Sequence, residues 1–209
     1  MQTTHGGPAT STSPDESGKK AARQLYRDRR RAFVSALNAG EREALLRDVA
    51  ARCAPLTRLQ AARAAPVASY AAIGNEMDPQ FVEERFGPHA FPRIDGGRLR
   101  FHVAAWSELL PGPMGIPQPR ADTPEIMPHL LLVPLIAATL DGVRLGQGGG
   151  YYDRTLALLQ SQLPDGQALV TVGLAWDCQI ADILPHEAHD IRLDWLATPT
   201  RLVECGRNG

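Results

Sequence analysis

The spacing of apolar and polar positions divides the chain into two helical stretches followed by alternating short strands and helices. Residues 19–37, KKAARQLYRDRRRAFVSAL, contain good helix formers and neither Pro nor Gly. Leu25, Arg29, Phe33, Ala36 and Leu37 fall near one face of that helix, with Ala22 above them. After the break at Asn38-Ala39-Gly40, EREALLRDVAARC predicts a second helix with Leu45, Val49 and Cys53 on its core stripe. The period then changes. VASYAAI (67–73) reads as a buried strand bounded by Pro66 and Gly74-Asn75, and Glu76–Pro79 as a turn into the short helix QFVEERF. HAFPRI and LRFHVAAW (99–106) predict strands on either side of the turn Asp95-Gly96-Gly97, and the Pro- and Gly-rich residues 111–128 predict a surface connection. LLLVPLIA (130–137) is the strongest buried strand; ALVTVGLAW (168–176) and DWLATPT (194–200) complete the set, with a helix YYDRTLALLQSQL between. Strands alternating with helices predict a layered α/β fold with a largely parallel sheet.

Twelve of the first eighteen residues are Ser, Thr, Gly or Pro, and no apolar h-region follows, so 1–18 is expected to be a disordered tail rather than a targeting signal. A single domain over 19–203 and a short C-terminal tail over 204–209 account for the remainder. A net charge of -1 argues against a nucleic-acid binder, and no apolar run approaches the roughly 18 residues of a membrane span. Cys53, Cys178 and Cys205 are widely separated and form no CxxC, which argues against a disulfide framework and fits a reducing cytosol.

Local charge is less even. Lys19, Arg23, Arg27 and Arg31 recur every four residues and form a basic stripe, either a solvated face or a phosphate-binding one. The segment LLLVPLIAATLDGVRLGQGGGYYDR (130–154) then runs a buried strand into a loop carrying Gly142, Gly146, Gly148, Gly149 and Gly150, with a helix beginning at Tyr151 or Tyr152. Ligands of open α/β sheets bind beyond the C-terminal ends of strands. Glycines allow backbone to approach a phosphate, and the helix N-terminus adds positive potential. Arg144 can supply a fixed charge and Asp153 a hard oxygen for Mg²⁺. No Gly-Lys-Ser/Thr follows, so this is not a Walker A loop, and the spacing is not that of a dinucleotide GxGxxG. His186 and His189 lack HExxH spacing, and Trp106, Trp176 and Trp195 read as core or pocket walls.

RLGQGGGYYDR resembles the Arg-Leu-Gly-x-Gly-x-Gly-Tyr-Tyr-Asp block of the 5-formyltetrahydrofolate cyclo-ligase family. Weaker blocks follow the family's order: Lys19 and Arg23 as Lys-x-x-x-Arg, Tyr70 to Asp78 with Glu76 at the family's glutamate, Gly115-Ile116-Pro117-Gln118-Pro119, and Gln179, Pro185, His189-Asp190 and Leu193-Asp194. The resemblance implies a three-layer sandwich with a largely parallel mixed sheet flanked by helices, of the NagB/RpiA/CoA-transferase-like kind. It implies ATP-dependent closure of 5-formyltetrahydrofolate to 5,10-methenyltetrahydrofolate, with Mg²⁺ and two small-molecule substrates, in a cytoplasmic monomer or weak dimer with no nucleic-acid or membrane partner. Lys19, Arg23 and the run Arg144, Leu145, Gly146, Gln147, Gly148, Gly149, Gly150, Tyr151, Tyr152 and Asp153 would then bind ATP, with Arg144 catalytic. Glu76, with Gly148, Gly149, Gly150, Tyr151 and Tyr152, would meet the folate, and Asp153 and Asp190 would hold Mg²⁺.

Each role has a plainer alternative. Asp153 could complement the helix dipole, Asp190 could cap a turn, Glu76 could be a solvated turn carboxylate, and the tyrosines could be packing residues. The chain also departs from the family pattern. Ala138-Thr139 stands where Phe-Asp is usual, Thr198-Pro199 where Thr-Glu is usual, and Ala22 where Leu is common. Two other functions stay open on these residues alone: a folate-binding paralogue that does not cyclise, and a phosphosugar isomerase or transferase on a similar scaffold, which would need no ATP.

Overall fold

Why the chain folds into layers is plainest at its most apolar strand. In a computed structural model, which describes residues 14–61, 66–87, 89–164 and 167–206, Leu130 and Leu132 point into one hydrophobic cluster while Leu131 and Val133 point into another. A strand buried on both faces requires helices on both sides. Two helices, α1 (Pro14–Ala36) and α2 (Ala39–Cys53), cover the first face. Asn38 begins α2 with a capping box: its side chain accepts from Glu41 N–H and the Glu41 carboxylate accepts from Asn38 N–H. After a 3-10 turn come the short α3 (Thr57–Ala61), the strand β1 (Val67–Ala68) and α4 (Gln80–Glu83). The hairpin β2 (His89–Asp95) and β3 (Arg98–Val103) follows, then the two-residue strands β4 (Leu110–Pro111), β5 (Pro117–Gln118) and β6 (Glu125–Ile126). The buried centre is β7 (Leu130–Pro134), followed by β8 (Ala137–Thr139) and β9 (Arg144–Leu145). Helix α5 (Tyr151–Gln162) covers the second face through Leu156 and Leu159. β10 (Val170–Leu174), β11 (Ile180–Ala181), β12 (Trp195–Ala197) and β13 (Leu202–Glu204) end the run.

The main sheet has the order β13-β12-β10-β7-β1-β2-β3-β6. Its centre, β12-β10-β7-β1-β2, is parallel, and its edges are antiparallel. The predicted three-layer α/β sandwich with a largely parallel mixed sheet is therefore the observed fold.

Several boundaries move. Helix α1 starts at Pro14, five residues before the predicted beginning of order, because proline suits a first helical turn, whose N–H groups have no intrahelical acceptor. Residues 1–13 lie outside the described residues, so the expected tail is described only over its last five positions, which are helical. At the other end, β13 and the buried Cys205, whose N–H donates to Asp194 O at 2.7 Å, carry packed structure beyond residue 203. The single predicted strand 130–137 is two: β7 ends at Pro134, and β8 joins a separate three-stranded sheet, β11-β8-β9. Between them the carbonyls of Leu135 and Ile136 accept from the buried Gln179 amide, each at 2.9 Å, instead of from a neighbouring strand.

The largest change concerns α1. Leu25, expected on the buried face, is 49% exposed, whereas Tyr26, Arg30 and Val34 are buried. The four-residue spacing of the basic stripe drifts by roughly 40° per step on a 3.6-residue helix. By the fourth cation it has turned away, so Arg31 faces Asp28 at the surface and Arg30 points inward, donating to Leu135 O at 3.3 Å.

Near the end of β1 the carboxylate of Glu83 is fully buried, accepting from Ser69 Oγ and Trp106 Nε1. Burial pushes its carboxyl up to about 7. Because the folded state holds this proton more tightly than the unfolded chain, the associated stability is complete below pH 4.5 and is lost as pH rises through about 7. The expected loss is on the order of 3 kcal/mol. Thermal unfolding followed across this range should show the decline, and Glu83→Gln should flatten it; equal slopes for the two proteins would contradict the assignment.

Candidate active site

The glycine loop follows from local chemistry. Strand β9 delivers Arg144 and Leu145, and the chain then turns through Gly146–Gly150 into α5. Gly148 has φ +104 and Gly150, the residue that precedes α5, has φ +65; both lie in the region that favours glycine. A Cβ on Gly150 would collide with the Arg154 guanidinium, and one on Gly148 would come to 3.4 Å from Arg23 Cζ. No side chain caps α5, so its first turn is open to an anionic ligand.

Helix α1 lies against this loop with its cations. Arg23 Nε donates to Gly146 O at 3.0 Å, and Arg27 Nη2 donates to Gln147 Oε1 at 2.9 Å. Lys19, only 8% exposed, pairs with Asp190 at 2.7 Å and Glu187 at 3.3 Å. Burial alone would lower the Lys19 ammonium, but its hydrogen bonds to Asp190 and Glu187 win and hold it above its ordinary value. Burial likewise opposes ionisation of Asp190, yet the Lys19 and Glu187 N–H donors leave its carboxyl below the ordinary value. Asp190 therefore does hold a turn, accepting from Glu187 N–H at 2.8 Å, and anchors α1 as well. Arg144 is buried and ion-paired with Asp153, its Cζ 5.8 Å from the centre of the Tyr152 ring. Its Nε is buried with no hydrogen-bond partner among the described residues.

All fourteen predicted site residues line one cavity of about 590 Å³. Glu76 is among them and is buried, not a solvated turn residue. Burial pushes its carboxyl up, against the opposing pull of the Ile73 N–H, the Gln147 amide and the Arg30 charge. Tyr151 stacks under Arg154 at 5.3 Å, so it both packs and lines the cavity. Sequence reasoning missed the apolar wall: Pro92, Ile94 and Leu99 from the β2–β3 hairpin, with Met114 and Ile116 from the β4–β5 turn. Met114 is 71% exposed and, among the described residues, the one non-glycine with positive φ, at 59°. The block 115–119 hinted at this wall, but no periodicity marks it. None of the three tryptophans lines the cavity, and neither do Ala138, Thr139 or Pro199. The departures at 138, 139 and 199 thus lie outside the pocket wall.

The carboxylate donors fit one kind of metal better than another. Among the described residues, no three His, Cys, Asp or Glu side chains converge as a metal-binding group. Asp153 and Asp190 nonetheless both line the cavity. One or two carboxylates beside a phosphate site suit a Mg²⁺ that arrives with nucleotide phosphates and keeps several waters.

Comparison with known proteins agrees with this geometry. Residues 90–199 match the model of the 5-formyltetrahydrofolate cyclo-ligase family. The chain is 33% identical over 150 residues to the 5-formyltetrahydrofolate cyclo-ligase of Escherichia coli (strain K12), spanning 66% of this chain and 80% of that one. The NMR structure of Aquifex aeolicus 5,10-methenyltetrahydrofolate synthetase superposes with a TM-score of 0.71 at 27% identity, covering 91% of this chain and 94% of that one. A synthetase from Mycoplasma pneumoniae, at 22% identity and a TM-score of 0.58 over 87% of this chain and 98% of that one, shares the fold. With its glycine loop and more than half its length matched in this way, the chain belongs to the 5-formyltetrahydrofolate cyclo-ligase family.

Proposed function

We propose that the cavity binds ATP and 5-formyltetrahydrofolate together and closes the folate to 5,10-methenyltetrahydrofolate, releasing ADP and phosphate. The observation that carries this reading is the meeting, in one cavity, of a glycine loop backed by Lys19, Arg23 and Arg144 with an apolar wall and a buried acceptor, Glu76. The first set suits a triphosphate, and the second suits a flat heterocycle with N–H donors.

ATP is needed because an N-formyl group is a resonance-stabilised amide whose oxygen leaves poorly. Transfer of the γ-phosphoryl group to that oxygen gives an imidate phosphate and ADP. N10 then attacks the formyl carbon, phosphate departs with the former formyl oxygen, and N10 loses its proton. The protein's work is to align the two substrates and to balance charge on the moving phosphoryl group. The loop backbone from Gly146 to Gly150 lies against the phosphates, and Lys19 and Arg23 reach them from α1. Arg144, with its unpartnered Nε, supplies charge from beneath the loop. Glu76 accepts hydrogen bonds from the pterin while the hairpin wall excludes water. Asp153 and Asp190 would hold the Mg²⁺ of Mg-ATP, which supplies countercharge to the phosphates when bound. Their pairing with Arg144 and Lys19 keeps both signs of charge compensated before nucleotide arrives.

The whole reading is tested by mixing purified protein with Mg-ATP and 5-formyltetrahydrofolate and following the methenyl product by absorbance. Product should appear only with ATP; its absence would remove the proposal, and methenyl product formed without ATP would contradict phosphoryl activation of the formyl oxygen. Arg144→Ala should lower kcat on the order of 100-fold or more per folded molecule. Arg144→Lys, which keeps the Asp153 pair but loses the planar fork, should recover only part of that. Asp153→Asn preserves shape and removes the anion, so its half-saturating Mg²⁺ concentration should rise and excess Mg²⁺ should restore much of the rate. A lower melting temperature with an unchanged Mg²⁺ dependence would make Asp153 an anchor for Arg144 alone.

A further inference from the structure

We infer that the side chain of Gln147 is a positioning residue that couples the two halves of the cavity, so that nucleotide on the glycine loop and folate at Glu76 strengthen each other's binding. The inference rests on the functional reading above and concerns how its two substrates communicate.

Gln147 sits inside the glycine loop, but its side chain serves the other half of the site. Its Nε2 donates to Glu76 Oε1 at 2.9 Å. Its Oε1 accepts from Arg27 Nη2 at 2.9 Å, and the same Arg27 nitrogen reaches the Gln147 backbone carbonyl at 3.3 Å. The other Glu76 oxygen accepts from Ile73 N–H at 3.1 Å. One partner of the buried carboxylate is thus fixed by its own turn, while the other rides on the loop that the phosphates would order.

A carboxylate offers about four lone-pair sites, and the protein occupies two of them here. Pterin donors can therefore join Glu76 without displacing Gln147. Phosphates that fix the loop hold the Gln147 amide over Glu76, keeping the carboxylate ionised and aimed. Folate bound at Glu76 in turn holds Gln147 in place, and with it the loop. The ordering cost of the loop is then shared between two ligands, which is positive coupling and must be reciprocal. The ionisable groups facing Glu76 are Arg30 from α1, Tyr70 beyond β1 and Tyr152 from α5. Both tyrosines are raised by burial, and arginine stays charged throughout, so as pH falls from neutral Glu76 is the member of this group that takes up a proton.

The test uses the full chain and a non-hydrolysable ATP analogue with Mg²⁺, titrated calorimetrically with and without 5-formyltetrahydrofolate. In the wild type, folate should tighten analogue binding about fivefold or more. Gln147→Met fills similar space without donor or acceptor and should bring that ratio close to one. The folate KM of the variant should rise about tenfold and, as pH falls, should begin to climb at a higher pH than the wild type's, because loss of the Gln147 donor raises the Glu76 carboxyl further. Arg27→Met, at the outer end of the relay, should weaken the coupling in the same direction but less. An unchanged ratio and pH profile in Gln147→Met would overturn the inference while leaving the cyclo-ligase reading intact. A wild type that binds folate and nucleotide independently would overturn it too. A wild type that binds no folate would overturn both, and the turnover assay separates that case from the others.

Discussion

Burying a charge in a protein costs several kcal/mol unless a partner is already in place, and α1 buries its cationic side. Lys19 and Arg30 are each 8% exposed, and Arg23 and Arg27 reach across to the glycine loop. Their partners are the Asp190 and Glu187 carboxylates and the carbonyls of Leu135, Gly146 and Gln147. These groups lie beyond the C-terminal ends of the sheet strands, where backbone leaves the ladder and its carbonyls lack strand partners. These partners hold the helix with its basic face over the cavity. Charge-assisted hydrogen bonds contribute roughly 1.5–3 kcal/mol each, enough to outweigh burial of a single Leu25. The contacts that dock the first helix also place Lys19 and Arg23 along the cavity.

The parallel centre of the sheet supplies the other half of the design. Strands β7 and β1 both point toward the cavity, and Pro134 at the end of β7 lines it. The antiparallel β2–β3 hairpin then adds the apolar wall, and Thr155 of α5 ties that hairpin to the helix behind the glycine loop, accepting from Leu99 N–H at 2.9 Å. Site and scaffold thus share hydrogen bonds, and the loop is held from three directions by α1, α5 and Glu76.

What could be read from the sequence follows from how local each signal is. The glycine run, the strand before it and the helix after it are contiguous, and each rests on backbone chemistry that residue type decides. Lys19, Arg23, Glu76 and Asp190 were found through spaced motifs, and the fold brings all of them to one cavity. The buried face of α1 follows partnered charge rather than hydrophobicity alone: Tyr26 and Arg30 are buried and Leu25 is exposed. The division of 130–137 at Pro134 depends on Gln179, more than forty residues away, capturing two carbonyls. The apolar wall joins residues 92–99 to Met114 and Ile116, which have no shared period; only tertiary packing brings them together. The Arg144–Asp153 and Lys19–Asp190 pairs each join an expected phosphate-facing cation to an expected Mg²⁺ carboxylate, and the Lys19–Asp190 pairing across 171 positions leaves no mark in local sequence.

The central claim is that this cavity places a phosphoryl donor against a formyl oxygen. Its most direct test is the fate of that oxygen. 5-Formyltetrahydrofolate carrying ¹⁸O in the formyl group is turned over with Mg-ATP, and the inorganic phosphate is analysed by mass spectrometry. The account predicts one labelled oxygen in phosphate for each methenyl product formed. Unlabelled phosphate alongside methenyl product, with the ¹⁸O released into water, would mean that ATP is hydrolysed without activating the formyl group, and would contradict it.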